Sequence, residues 1–290
     1  MKNSILIPLF LLSTISTVFA GGPWTQKKGK GYYKLSEWWL TYNQHFTDTG
    51  DTDPNITTGI FSTTLYVEHG LTDRFTGIVY APLFSRNYHN NQVSGTTGET
   101  LQAGEALNSI GDFDVSLKYS LTEPGAKFPI SATLTLGLPL GETGKGDLGI
   151  LQTGDGEFNQ MIQIDAGSGF QFGNTSAYAS AYVGINNRTN GFSEEFRYGL
   201  EFGAGLMNSR LWLIGRLGGV ESFRNGDLAI DNSSTSIFAN NAEFTSFGLE
   251  ASYYVTKNVG FSASFASAFR GRIIAAAPSY SVGVFYDLSR

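Results

Sequence analysis

An all-β fold, a transmembrane antiparallel up-and-down β-barrel of about 12 strands, is predicted by three features of this 290-residue sequence. Apolar and polar residues alternate with period 2 over stretches longer than the ~5 to 6 residues usual for strands of soluble sheets. The connections between these stretches alternate between short turns and long polar loops. The composition is rich in Gly (36) and in aromatic residues (22 Phe, 14 Tyr, 4 Trp), with 15% charged residues. An ordinary soluble domain carries about 25%.

The first 20 residues stand apart. Lys2 precedes an apolar run from Ile5 to Leu12, and Val18-Phe19-Ala20 gives a small-residue exit before Gly21. This predicts a cleaved secretory signal over 1–20, leaving 21–290 as the barrel. The apolar run is far shorter than the ~20 residues a membrane-spanning helix needs.

In the mature part, the clearest strand runs over 112–121, where Phe113, Val115, Leu117, Tyr119 and Leu121 alternate with Asp112, Asp114, Ser116, Lys118 and Ser120. After Thr122-Glu123-Pro124-Gly125 the alternation resumes over 128–140 with Phe128, Ile130, Ala132, Leu134, Leu136, Leu138 and Leu140. Two more clean stretches cover 196–206, from Phe196 to Leu206, and 280–288, from Tyr280 to Leu288. Compatible segments lie at 32–46, 59–69, 75–84, 160–172, 177–187, 210–220, 245–255 and 259–270. At 32–46 and 75–84 apolar residues occupy both phases, and the facing of those two segments stays open.

Longer connections fall at 47–58, 85–109, 141–158, 188–195, 221–243 and 271–278, rich in Gly, Asn, Asp, Ser and Thr. Short ones fall between them, as at Gly70-Leu71-Thr72-Asp73-Arg74 and Gly173-Asn174-Thr175-Ser176. With the N-terminus in the periplasm, every long loop is placed outside and every short turn inside, the arrangement of bacterial outer-membrane barrels. Lipid supplies no hydrogen bonds, so only a closed sheet crosses it. The mean hydropathy of −0.09 then averages a lipid face and a lumen face. The aromatic excess is assigned mainly to the lipid side and its borders, and the Gly excess to lumen positions and loops.

Other classes are disfavoured. A net charge of −6 offers no basic face for nucleic acid. The absence of Cys removes thiolate metal sites and thiol nucleophiles. His45, His69 and His89 are the only histidines, and the group His45, Asp48, Asp51, Asp53 reads as a solvated loop rather than a water-activating site. Those aspartates, and Asp147 with Asp155, lack calcium-loop spacing, so no metal site and no cofactor is expected. Gly141-Glu142-Thr143-Gly144-Lys145-Gly146 fails as a phosphate loop, since Pro139 stands where the first Gly belongs and no Ser or Thr follows Lys145.

The end of the chain, Ser281-Val282-Gly283-Val284-Phe285-Tyr286-Asp287-Leu288, carries an assembly pattern in Ser281, Gly283, Tyr286 and Leu288. It looks like the terminal signal read by the outer-membrane barrel assembly machinery, followed here by Ser289 and Arg290 instead of a terminal aromatic residue. Further pieces are Gly22-Pro23-Trp24, Lys28-Gly29-Lys30-Gly31-Tyr32-Tyr33, Glu68 to Arg74, Gly111-Asp112, Leu136-Gly137-Leu138-Pro139, Leu151 to Gly156 and Ala177-Tyr178-Ala179. On these the chain resembles the outer-membrane transporter-like proteins of the "meta-pathway of phenol degradation" family. The resemblance implies a barrel that moves small, often hydrophobic or aromatic, compounds across the outer membrane.

If apolar faces meet lipid, the opposite faces place Asp112, Asp114, Lys118, Arg197, Glu201 and Asp287 toward the lumen, and the weaker strands add Asp165, Arg216, Glu250 and Arg270. The expected function is a non-enzymatic channel for passive passage of small molecules, with outer-membrane lipid, the assembly machinery and a small solute as partners. The competing readings are a filled structural or interaction barrel and, third, an outer-membrane hydrolase. The loop at 85–109, the longest, has two readings: folding inward to constrict the bore or, with at least equal weight, standing as an exposed surface loop.

Overall fold

The structure, a computed structural model, describes residues 21–227 and 237–290. The predicted signal segment 1–20 lies outside the described residues. Twelve long strands carry the chain around a barrel: β1 (Gly31–Phe46), β2 (Thr52–Gly70), β3 (Phe75–His89), β4 (Phe113–Ser120), β5 (Ile130–Leu138) and β6 (Asn159–Phe172). They continue as β7 (Thr175–Asn187), β8 (Glu195–Leu206), β9 (Leu211–Ser222), β10 (Glu243–Tyr254), β11 (Val259–Arg272) and β12 (Ser279–Asp287). Each pairs antiparallel with its neighbours in sequence, and β1 pairs with both β2 and β12, so the sheet has no free edge.

Register explains the alternation. Leu117 stands opposite Leu134, Leu134 opposite Ile162, and Ile162 opposite Ile185. These four side chains are 44%, 47%, 63% and 54% exposed, so a belt of branched apolar residues runs around the outside with nothing of the protein covering it. In water such a belt would be an aggregation surface; around a closed sheet it is a lipid-facing band. Aromatic pairs mark its borders, with Phe75 against Tyr119 and Tyr33 against Tyr286 toward the short turns, and Trp39 against Tyr280 farther along.

The strand ends differ from the sequence reading where loops continue the sheet. β2 begins at Thr52 rather than 59, which shrinks the first loop to five residues, 47–51. β3 runs on to His89, and Glu105–Ser109 pairs back along it. Gln92–Val93 and Thr100–Gln102 form a small exposed ribbon beyond. The fifth strand is shorter than 128–140, because Pro139 supplies no N–H for the ladder.

Two causes account for the strands whose phase the sequence left open. In β1 both faces are apolar because the inward one supplies Tyr32 to an aromatic cluster and Leu40 and Tyr42 to a second cluster with Ala275. In β3 the pairing with β2 jumps between Thr63 and Thr64, from Phe84 to Pro82, so Leu83 is an extra residue. Leu83 and Phe84 both stay exposed outside while the phase flips beyond them.

Candidate permeation path

Inward positions near the short-turn end build an aromatic chamber. Tyr32, Tyr178, Trp212, Tyr254 and Phe285 form its buried cluster, with Trp24, Tyr66 and Ile214 packed on it. Tyr32 stacks on Phe285 at 5.5 Å, and Tyr254 meets Phe285 edge-on at 4.9 Å. The rings lie flat on the wall because the residues opposite them lack side chains. Tyr178 stands across from Gly203 and Phe285 across from Gly260, where an added Cβ would be 2.1 Å and 2.3 Å from the ring. A cavity of about 320 Å³ remains. Many aromatic residues stand on the exposed outer face, as the alternation predicts, and a second group lines the interior, since a ring over glycine occupies little of the bore.

The segment ahead of β1 closes this chamber from the turn side. The Gln26 N–H donates to Thr76 Oγ1 at 2.8 Å and its side-chain amide to Glu68 at 3.0 Å. Trp24 meets Tyr178 edge-on at 5.5 Å, and Pro23 is fully buried over Gly167. Lys118 Nζ donates to the Gly22 carbonyl at 2.7 Å. At Gly22 the backbone has φ of +64° and a Cβ would meet the Trp24 ring at 2.9 Å, so the turn that carries the segment inward requires glycine.

A charged girdle completes the wall of the aromatic chamber. Arg216 donates to Glu201 and, at 3.0 Å, to Glu250, while Lys34 pairs with Glu250 at 3.4 Å. Tyr178 Oη donates to Glu201 at 2.6 Å. Arg216 keeps 40% of its side chain open to the interior. It also lines a second hollow of about 370 Å³, whose walls include Tyr182, Arg197, Gly199, Gly218 and Gly248. Two chambers thus meet at Arg216.

At the loop end the segment that turns inward is the loop at 139–158, while 85–109 takes the exposed of its two readings. The loop at 139–158 hangs its backbone on inward side chains: Gly141 and Asp155 N–H groups donate to Asp112, both at 2.8 Å. Asn87 donates to the Gln152 carbonyl at 2.8 Å, and Thr153 Oγ1 to the Ile110 carbonyl at 2.8 Å. Arg188 fixes the far side by pairing with Glu157, with Glu195 at 2.8 Å and with Asp155 at 3.3 Å. Its guanidinium also lies 4.5 Å from the Phe192 ring. Burial pushes the Asp112 carboxyl up to about 6 against the lowering effect of its two backbone donors. Burial likewise pushes Glu157 up to about 7, opposed by Arg188. The loop at 85–109 instead extends the wall and ends in the exposed ribbon.

The structure brings Glu201, Arg216 and Glu250 together in the girdle, with Arg197 in the upper hollow and held by Glu195 at 2.6 Å. Asp114 sits opposite Tyr80 in register. Lys118 and Asp165 are buried near the turn end, Lys118 on the Gly22 carbonyl and Asp165 accepting from Gln163 at 2.8 Å. Asp112 precedes β4 and serves the loop. Asp287 ends β12 and accepts from Tyr254 Oη at 2.7 Å, at the margin of the chamber rather than in the girdle. Arg270 departs from its expected facing. The β10–β11 pairing jumps past Phe269, which sets Arg270 against Thr245 on the outer face, where it pairs with Glu221 at 2.8 Å. A one-residue bulge reverses the phase that strict alternation assumes.

In the terminal strand, Ser281 bonds Ser264 at 2.7 Å, Gly283 sits between Ser36 and Ser262, Tyr286 stacks on Tyr33, and the Leu288 N–H donates to the Gly31 carbonyl. The histidines are scattered: His45 opposite Asp53, His69 on Tyr33 Oη at 2.8 Å, His89 beside Glu105 at 3.6 Å. Among the described residues no group of three His, Asp or Glu side chains is placed to hold a metal ion. Sequence reading missed Lys34, Glu195, Arg188, Tyr178 and Glu68, because their roles depend on cross-strand register.

No protein-family model and no curated protein sequence matches the chain. Among solved structures, an outer membrane channel from Pseudomonas putida F1 is similar at a TM-score of 0.58 and 17% identity, covering 93% of this chain and 99% of that one. The beta domain of the Bordetella autotransporter BrkA follows at 0.50 and 14%, covering 89% and 99%. Both likenesses are of fold, and with the closed sheet and its lipid-facing band they make this chain an outer-membrane β-barrel.

Proposed function

We propose that the barrel is a channel for small molecules that are aromatic or otherwise partly apolar. The observation that carries this reading is the interior itself, a chamber walled by tyrosine, tryptophan and phenylalanine that joins a second hollow through the Arg216 girdle. Ring faces and edges hold planar apolar solutes weakly and at many positions, while the phenolic hydroxyls and the girdle accommodate a polar substituent. The resemblance to the phenol-degradation transporter-like family supports the same solute class. In this reading the outer band meets outer-membrane lipid, and the terminal strand, with Ser281, Gly283, Tyr286 and Leu288, is what the assembly machinery takes.

Covers at both ends, the Gly22–Gln26 segment and the loop at 139–158, favour a second reading, a filled barrel that acts through its exposed loops. Liposome swelling with phenolic solutes against sugars of equal size separates the two. The channel reading expects faster swelling with the phenolic solutes, enhanced when either cover is weakened. No swelling with any solute, in the native protein and in both weakened variants, establishes the filled barrel.

A further inference from the structure

The carboxylate of Glu68 is wholly buried on the inward face of β2. Tyr66 Oη, the Gln26 side-chain amide at 3.0 Å and the Gly21 nitrogen at 2.9 Å all donate to it. Among the described residues no Lys, Arg or His lies within ion-pair distance of it, although the barrel pairs its other inward glutamates, Glu195, Glu201 and Glu250, with arginine. A buried carboxylate with neutral donors alone is an expensive arrangement. The missing cation is supplied if residue 21 is the first of the mature chain, because its nitrogen is then an ammonium. The signal pattern ending at Ala20 predicts that end independently of any contact inside the barrel.

We infer that removal of residues 1–20 creates a buried ion pair between the Gly21 α-ammonium and Glu68, and that this pair seats the leading segment inside the barrel. Before cleavage, the same nitrogen is an amide that offers one hydrogen bond and no charge. Cleavage of the Ala20–Gly21 peptide bond by water leaves a carboxylate on Ala20 and the amine on Gly21, which takes up a proton. Proteolytic processing therefore does more than release the protein from its export signal: it makes the functional group that closes the turn side of the aromatic chamber. The two glycines fit this role. Gly21 and Gly22 have φ of +89° and +64°, a path other residues rarely follow, and Gly21 lines the chamber. Lys118 on the Gly22 carbonyl and Trp24 on Tyr178 hold the segment just behind the ammonium.

The test uses the full protein exported and processed in cells, with the mature mass measured first. A brief pulse of an amine-reactive ester near pH 8, followed by proteolysis and mass spectrometry, reads the α-amine separately from Lys27, Lys28 and Lys30. The expected result is a mature chain starting at Gly21, whose α-amine labels at least tenfold more slowly than in Glu68→Gln, which keeps the hydrogen-bonding shape and removes the charge. Heat-modifiable gel migration verifies that the variant barrel is folded. If Glu68→Gln fails to fold, a chain refolded with Ser-Gly ahead of Gly21 takes its place, since its displaced ammonium is expected to label fast on an intact barrel. A mature chain that starts elsewhere overturns the inference, and so does equal labelling of native and altered chains. Neither result bears on whether the barrel conducts.

Discussion

Replacing Arg188 with leucine is expected to release the loop at 139–158. The guanidinium is 4% exposed and serves Glu157, Glu195 and Asp155, whose side chains are 0%, 6% and 14% exposed. Leucine keeps a similar apolar volume against Phe192 but leaves Glu157 and Asp155 without a cation and Glu195 with Arg197 alone. Breaking a buried ion pair costs about 3–5 kcal/mol. Glu157, already pushed up to about 7, takes a proton readily and relieves part of that penalty, which places the cost near the lower figure. At about 1.4 kcal/mol per factor of ten, about 3 kcal/mol raises the lifted population roughly 100-fold. Trypsin cleavage after Lys145, which sits on this loop, reads that population when lifting and reseating are fast. Cleavage should accelerate by about two orders of magnitude in Arg188→Leu under those conditions. A rate within threefold of the native protein's would refute the assignment of Arg188 as the loop's anchor.

Further outcomes follow from the same geometry. The carboxyls of Asp112 and Glu157 stand at about 6 and about 7 with the loop seated and return toward the ordinary carboxylate range once it lifts, so the seated form holds protons that the lifted form releases. Seating should therefore strengthen as pH falls from about 8 to about 5 and weaken as it rises, seen as slower Lys145 cleavage at low pH after normalisation to an unfolded substrate. Arg216→Ala should raise single-channel conductance and turn the girdle cation-selective, because Glu201 and Glu250 lose their shared arginine; an unchanged reversal potential in a salt gradient would count against the girdle as part of the permeation path. Deleting Asn90 to Gly104 should leave conductance unchanged, since that ribbon lies outside the bore. Gly203→Ala should cost about 1–3 kcal/mol in urea unfolding, because its Cβ would enter the Tyr178 ring.

The barrel was legible because its two faces alternate residue by residue where the sheet is regular. Asp112 to Leu121 and Phe196 to Leu206 show this most plainly, and in both the apolar phase faces outward. Legibility ends where an extra residue enters one strand. Leu83 and Phe269 are ordinary apolar residues in the sequence, and only their cross-strand partners reveal that the phase turns over beside them. The same limit applies inside. Glu201, Arg216 and Glu250 each sit on the polar phase, but their convergence depends on strand order and stagger, as does the meeting of Glu157 and Arg188 across two loops. The interior aromatic wall was hidden for a further reason: a tyrosine over glycine and a tyrosine at a lipid border look alike until the residue opposite is known.

Tyr178 faces Gly203, Tyr182 faces Gly199, Trp212 faces Gly205 and Phe285 faces Gly260, each ring lying across the strand beside its own. Sliding β7 by two residues along β8 preserves every inside and outside assignment, so hydrophobic patterning alone does not resist it. The slide would bring the Tyr178 ring onto Glu201 in one direction, and Tyr182 onto Glu201 in the other, and neither position has room for a plane. The glycines thus act as keyways and the rings as keys, and together they set the stagger of the wall. That stagger fixes the tilt of the strands and the width of the barrel.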